Sequence, residues 1–419
     1  MDPDPDSCPP LLLENIGRQT SIVQELQKAF TAAKALGPEN GGHGEIDRVA
    51  LAADYLKGYG IDEQLRIDTA DDRVPCGIRP NLVARIPGKS SLNLWLFAHL
   101  DTVGAGDLSA WATDPFAATI KDDFIYGRGV EDNQQAACTM LILAGALKTL
   151  HLTPPVGLGL VFMADEECGS RYGLIHILNS RADLFSERDF YIVPDGGSPD
   201  GSEIEIAEKA QLWLQFTITG RQCHASNPFL GRNAFLAAAK LAIRLENELR
   251  TRFAEKNPLF IPPVSTFVPT RHPANVDGVN IMPGREEFYM DCRLLPAISM
   301  DAVLEAIGKI CGEEAAKSRV EISYKVVQAQ KATETPPDSP VTELLKKAIH
   351  EEYGVKARPV GIGGATVAAF LRDRNLPAVV WSCIRNTCHQ PNECSSITAT
   401  LKDAAVFARV LYAGTRYAG

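Results

Sequence analysis

The run Trp95-Leu96-Phe97-Ala98-His99-Leu100-Asp101 closes an apolar stretch on an imidazole and a carboxylate two residues apart. Period two in an extended chain puts both side chains on one side, so the tip of a core strand delivers a histidine together with an acid. Four more polar knots sit beside strand-like or helix-like runs. Glu131, Asp132 and Asn133 lie in "YGRGVEDNQQ" (126–135), just ahead of a helical run, and Asp165, Glu166 and Glu167 close "VFMADEECGS" (161–170). Asp195 ends the strand-like run in "YIVPDGGSPD" (191–200), and His389 lies in the loop of "VVWSCIRNTCHQPNE" (379–393). Singly, each has an ordinary role: Asp132 and Asn133 as helix N-caps, Glu166-Glu167 as solvated charge, Asp195 before two glycines as a turn residue. Together they make a set of two histidines and several carboxylates. Crowded carboxylates repel and take up protons unless a cation sits among them. Imidazole with carboxylate and no thiolate suits zinc, with cobalt or manganese as substitutes. Two histidines and three carboxylates exceed one tetrahedral site; they fit two ions about 3.5–4 Å apart that share a bridging carboxylate and a water. One carboxylate remains as general base. That is a hydrolase site.

The elements that must carry this set alternate. Strand-like runs at 81–86, 92–98, 156–164, 189–193 and 377–384 are separated by helical stretches that include 133–150 and 171–180, after helical runs at 15–35 and 45–58. The pattern predicts an α/β fold with a mostly parallel sheet covered on both faces, whose carboxyl edge binds ligands. Residues 208–328 read differently. An alternating strand at 211–219 leads to a helix at 231–250 with Ala234, Phe235, Ala238, Leu241, Leu245 and Leu249 on one face. Strands near 264–270 and 286–294, a helix at 300–316 and a strand at 319–328 complete the order βαββαβ, the ferredoxin-like arrangement. The expected organisation is a catalytic domain from 1–207 and 329–419, interrupted by a small domain at 208–328.

Composition narrows the partners. With 45% hydrophobic and 22% charged residues the 419-residue chain has a globular rather than a disordered make-up. A net charge of −10 without any strongly basic segment argues against nucleic acid and anionic membranes. The start, MDPDPDSCPP, is acidic and Pro-rich, unlike a secretory signal, and the apolar runs are too short to span a bilayer. None of the ten cysteines falls in C-x-x-C spacing and several lie inside apolar runs, as in a reducing compartment. The expected location is cytoplasmic.

The sequences "HLDTV", Trp111 with Asp114-Pro115-Phe116, "YGRGVEDN", "DEECGS", "PDGG" and "HQPNE" carry a resemblance, joined by "GRQCHAS" (220–226), "NIMPG" (280–284) and "DCR" (291–293) within the insertion. In this order, over roughly residues 40 to 400, they resemble the zinc peptidase and deacylase family that contains succinyl-diaminopimelate desuccinylase, acetylornithine deacetylase, aminoacylase, glutamate carboxypeptidase, tripeptidase and carnosinase. The resemblance implies a di-zinc catalytic domain and a ferredoxin-like lid that also dimerises. It implies that Asp132 bridges the metals, that His99 and Asp195 complete one site, and that Glu167 and His389 complete the other. Glu166 resembles the general base, and Asp101 the acid that fixes the His99 tautomer. His224 resembles the lid histidine that stabilises the tetrahedral oxyanion, reaching into the partner's active site in dimeric members. Asn280 and Arg293 resemble lid residues that hold the substrate's carboxylate or polar tail, while Arg293 beside Asp291 also reads as a simple ion pair. Gly364 and Thr366 of "GIGGAT" (361–366) resemble the substrate-facing Gly-rich loop. Two departures bear on specificity. Here Gly363-Gly364 is followed by Ala365-Thr366-Val367-Ala368, where many members have Thr-Asp or Thr-Ser-Asp. The terminal ligand is Asp195, as in several di- and tripeptidases, where the desuccinylase and deacetylase tend to use Glu. The expected substrate is an N-acyl amino acid, or alternatively a short peptide. A non-catalytic relative is disfavoured because all five ligand positions and the base are present. A di-metal phosphatase is disfavoured because no phosphate cradle is evident. Cys168, Cys223 and Cys388 each adjoin one of these residues.

Overall fold

Leu94, Trp95, Leu96, Phe97 and Ala98 have no exposed surface, so both faces of the strand Asn93–His99 are covered and its apolar run is continuous rather than alternating. It pairs in parallel with Gly157–Met163 on one side and with Phe190–Ser198 on the other, and the latter pairs in parallel with Ala378–Cys383. Antiparallel strands flank this centre: Leu82–Ile86 and then Gln64–Arg66 at one side, Glu203–Glu208 at the other. The sheet is therefore mixed, and its four parallel strands send their carboxyl ends to one edge. The computed structural model describes residues 7–417. They form two compact units, the first running to Ile206 and including Thr335–Pro359 and the chain from Thr366 onward, the second comprising Ala207–Glu334 and Val360–Ala365.

In the first unit alternate strand residues serve opposite layers. Trp95, Phe97, Val161, Met163, Tyr191 and Val193 pack on Leu174, Ile177 and Leu178 of the helix Leu174–Ser180 and on Ala368 and Leu371 of Ala368–Arg372. The helix Gln134–Thr149 is buried from Gln134 to Leu147, all round rather than on one stripe, because it lies between the sheet and the helix Ile397–Ala413. Ser396 starts that last helix by accepting from the Ala399 amide at 3.0 Å.

Two details depart from the expected elements. The helical run at 15–35 is two helices, Pro10–Gly17 and Thr20–Ala32; the amides of Arg18 and Gln19 turn back to Asn15 and Ile16 and end the first. The strand expected to finish near 193 runs from Phe190 through Asp195 to Ser198. A register shift between Val380 and Ser382 carries the pairing on to Ser382 with Gly197 and Cys383 with Ser198. Gly197 is required there: its φ is 140° and a Cβ would stand 2.3 Å from the Ser382 carbonyl oxygen.

In the second unit Thr266–Pro269, Arg285–Leu294, Ala210–Thr219 and Glu321–Gln330 form an antiparallel sheet in that order, with the helices Ala234–Arg252 and Met300–Ser318 following the first and third of its strands in the chain. This is the split βαβ order. Leu212, Leu214, Phe216 and Ile218 are buried while Trp213, Gln215 and Thr217 are half-buried, and Phe216 stacks on Phe288 with centroids 4.7 Å apart. Phe235 does not join the apolar face of its helix; it is 50% exposed, and Ala237 is buried instead. Among the described residues no helix is long and apolar enough to cross a membrane.

Candidate metal centre

His99 ends its strand with 1% of its surface exposed. Its Nε2 lies 2.7 Å from Asp132 Oδ1 and 3.6 Å from Asp195 Oδ1, and its Nδ1 lies 3.3 Å from Asp101 Oδ1 and 3.1 Å from the Asp101 carbonyl. Asp101 thus meets one ring nitrogen while the other faces the carboxylates. The Asp101 carboxylate also accepts from the amides of Glu166 at 3.0 Å and Glu167 at 3.1 Å, so it fixes the turn that carries both glutamates. That turn begins at Asp165 in the left-handed region, φ 65°, whose carboxylate accepts from the Tyr172 amide at 3.0 Å and lies 3.3 Å from the buried Arg79 guanidinium.

The second histidine arrives from the loop after Ala378–Cys383. His389 Nε2 is 3.1 Å from Asp132 Oδ2 and 3.1 Å from the Glu167 carboxylate. Asp132 therefore gives one oxygen to each histidine. Two donor groups follow: Asp132 Oδ1 and Asp195 around His99, and Asp132 Oδ2 and Glu167 around His389. Donor atoms of His99, Asp132 and Glu167 lie within 4.8 Å of one another, as do those of His99, Glu166 and Asp195. Asn133, at the N-terminus of its helix, makes no capping bond with its side chain. Its amide donates instead to Asp195 Oδ1 at 2.6 Å and to the Pro194 carbonyl at 2.9 Å, holding that ligand in place.

The electrostatics ask for a cation. Burial raises the Glu166 carboxyl well above its usual range, and Asp195, Glu167 and Asp101 raise it further; Glu167 and Asp195 are raised as well, chiefly by burial. Burial opposes charge on His99, yet Asp195, Asp101 and Asp132 hold it well above the ordinary imidazole value. Hydrogen bonds to Asp132 and Glu167 push His389 up to about 10. Positive charge among these acids is what relieves their mutual repulsion. Divalent ions would take over that role, and oxygen and imidazole donors without thiolate fit them.

The profile of the peptidase family M20/M25/M40 matches residues 95–413. The chain belongs to that family. It is a metal-dependent hydrolase. It is 37% identical over 403 residues to an uncharacterized metallohydrolase of Methanocaldococcus jannaschii, covering 92% of this chain and 98% of that one. It is 28% identical to the succinyl-diaminopimelate desuccinylase of Cereibacter sphaeroides over 87% of this chain and 98% of that protein. Its fold is similar to that of human carnosine dipeptidase 1, with a TM-score of 0.75 at 17% identity, covering 97% of this chain and 100% of the other.

The remaining residues singled out from the sequence lie apart from this cluster in the chain. In the second unit His224 is exposed, with Nδ1 2.7 Å from Ser226 Oγ and Nε2 3.4 Å from the Asn280 amide nitrogen. The Arg293 fork is engaged: Nε and Nη2 donate to Asp291 at 2.8 and 3.0 Å, and Nη1 donates to the Gly363 carbonyl at 3.0 Å, next to Gly364. Thr366 lies in the first unit, where its hydroxyl accepts from the Ala368 amide at 3.1 Å. Sequence reasoning missed the buried Arg48, whose guanidinium donates to the carbonyls of Phe30, Ala33 and Leu100 and so holds the chain between His99 and Asp101. It sits inside a helical run with no motif to mark it. It also missed the task of Glu393, although that residue ends the noticed "HQPNE".

Proposed function

We propose that this member of the family hydrolyses the amide bond of an N-acyl amino acid at a pair of zinc ions, with cobalt or manganese as workable substitutes. The observation that carries the dinuclear reading is the division of the Asp132 oxygens between His99 at 2.7 Å and His389 at 3.1 Å. His99, Asp195 and Asp132 would hold one ion, and His389, Glu167 and Asp132 the other. When bound, such a pair supplies a water acidified toward neutral pH and a Lewis acid for the amide carbonyl. Glu166 would accept a proton from the attacking water and pass it to the departing nitrogen, a role open to a carboxylate of the cluster that is not assigned as a ligand. Asp101 orients His99 and the Glu166 turn together. His224 is assigned as oxyanion donor, and Asn280, Arg293, Gly364 and Thr366 to the substrate's polar tail.

The acyl amino acid is favoured by the 28% identity to a desuccinylase over 87% of the chain. One observation favours a second reading, a di- or tripeptidase: the terminal ligand position holds Asp195 rather than Glu. A panel on zinc- and cobalt-loaded enzyme decides between them, using N-succinyl-diaminopimelate, N-acetylornithine, other N-acyl amino acids, and unblocked di- and tripeptides. We expect kcat/KM for one N-acyl amino acid to exceed that for every free peptide by tenfold or more. The reverse order would make the protein a peptidase.

The second unit is assigned the lid and dimerising role, supported by Phe235, Leu236 and Ile243, which are 50%, 50% and 64% exposed on one helix. Sedimentation equilibrium is expected to give a dimer; a fully active monomer would refute it. Ten free cysteines support a cytoplasmic, reducing location.

A further inference from the structure

Two buried carboxylates beside the metal ligands have no part in the reaction as described. Glu393 has no exposed surface and Glu131 has 3%. Glu393 belongs to the loop that carries His389, yet its carboxylate serves the loop that carries Asp132. Oε2 accepts from the Gly129 amide at 2.9 Å and from Arg128 Nη1 at 2.7 Å, and Oε1 accepts from the amides of Glu131 at 2.9 Å and Asp132 at 3.0 Å. Glu131 does the converse. From the Asp132 loop its carboxylate accepts the amides of Asn386 at 2.6 Å and Thr387 at 3.0 Å, and the Thr387 hydroxyl. The Thr387 hydroxyl in turn accepts from the Cys394 amide at 3.0 Å, next to Glu393, which closes the circuit.

The arrangement exceeds what loop folding alone asks of it. Amides can be satisfied by neutral acceptors, and burying a carboxylate costs more than burying an amide side chain. Glu131 forms no ion pair among the described residues. The loop it holds needs an external restraint, because Asn386, His389 and Asn392 all sit in the left-handed region, with φ of 61°, 60° and 61°. A carboxylate, with two oxygens and charge-assisted bonds, grips several amides at once where Gln or Asn would present only one acceptor atom.

We propose that Glu131 and Glu393 are positioning residues, a reciprocal clamp that sets the separation of Asp132 and His389 and thereby the affinity of that pair for a divalent cation. The proposal rests on Asp132 and His389 being metal ligands. The test measures zinc stoichiometry and affinity, by competition with a chromophoric chelator, in Glu131→Gln, Glu393→Gln, the milder Thr387→Val, and His389→Ala as reference. Circular dichroism and melting of the metal-free proteins report folding separately. We expect both Gln variants to bind one of the two zinc ions 10–100-fold more weakly, with Thr387→Val shifted in the same direction by less. KM should stay near the wild-type value while kcat at fixed zinc falls and recovers as zinc is raised. A purely structural role would lower the melting point and leave zinc affinity unchanged in the folded fraction, and that result would overturn the clamp. If Glu393→Gln does not fold, Glu131→Gln and Thr387→Val decide. Full zinc stoichiometry in His389→Ala would instead break the ligand assignment. Loss of zinc there, with wild-type affinity in all the clamp variants, would refute the clamp alone.

Discussion

Glu166 and His389 are asked for different things, one to carry a proton and the other to hold a cation, so their removal should separate two observables. Glu166→Ala is expected to keep two metal ions and lose turnover by roughly 10²–10⁴-fold, the span of a general base. His389→Ala should lose metal first and activity as a result. Metal analysis beside steady-state rates checks both, and equal metal loss in the two variants would contradict the division. A second residue-scale case is Asp403, which is fully buried and accepts from the hydroxyls of Tyr353 and Ser382, both at 2.7 Å, and from the Cys383 amide at 3.1 Å. Burial pushes its carboxyl up to about 6 from an ordinary 3.8. A raised acid binds its proton more tightly in the native state than in the unfolded chain, so its contribution is fully present below the unfolded value and is lost as pH rises through the folded one. Between pH 4 and pH 7 the wild type should therefore lose stability relative to Asp403→Asn by on the order of 2–3 kcal/mol. Urea unfolding of both proteins at the two pH values measures this; a difference that does not change with pH would contradict it.

At the scale of elements, the strand Phe190–Ser198 is the one that must run past its expected end to bring Asp195 to the site, and Gly197 is what permits it. Gly197→Ala would put a Cβ 2.3 Å from the Ser382 oxygen at a φ of 140°. We expect a loss of about 2 kcal/mol or more in urea unfolding, with weakened metal binding because Asp195 moves with the strand. An unchanged unfolding midpoint would mean that the strand pair yields without cost. The same element shows what was legible beforehand. Runs such as Leu94–Ala98 and Gly157–Met163 announce buried parallel strands by unbroken apolarity, and the acids and histidines at their carboxyl ends announce a site. A register shift leaves no such mark, so apolarity alone ends the strand at 193. Periodicity alone puts Phe235 on the core face, because one apolar residue at a helix start fits two neighbouring faces. The cross-loop bonds of Glu393 and Glu131 reach amides 264 and 255 residues away in the chain, beyond any local pattern. Asn133 reads as a helix cap because capping is what that residue type does locally; its bond to Asp195 depends on tertiary approach.

Over the whole molecule, His99, Asp132, Glu167, Asp195 and His389 all belong to the first unit, yet each comes from a separate segment of chain. A cation held by them and not by the unfolded chain ties those segments together and stabilises the native state by about 2.7 kcal/mol at 100 times its dissociation constant. The effect should be local, because the second unit carries none of the five residues. Hydrogen exchange with and without a chelator tests this directly. Metal removal is expected to speed exchange at 99–101, 129–133, 165–167, 195–198 and 386–393, and to leave the strands Ala210–Thr219 and Arg285–Leu294 as they were. His389→Ala should show part of that pattern before any chelator is added, since it retains one donor set. Glu166→Ala should match the wild type in both states, because the base contributes no bond to the cation. Faster exchange spread evenly over both units would mean instead that the metal stabilises the chain as a whole, and would contradict a local effect.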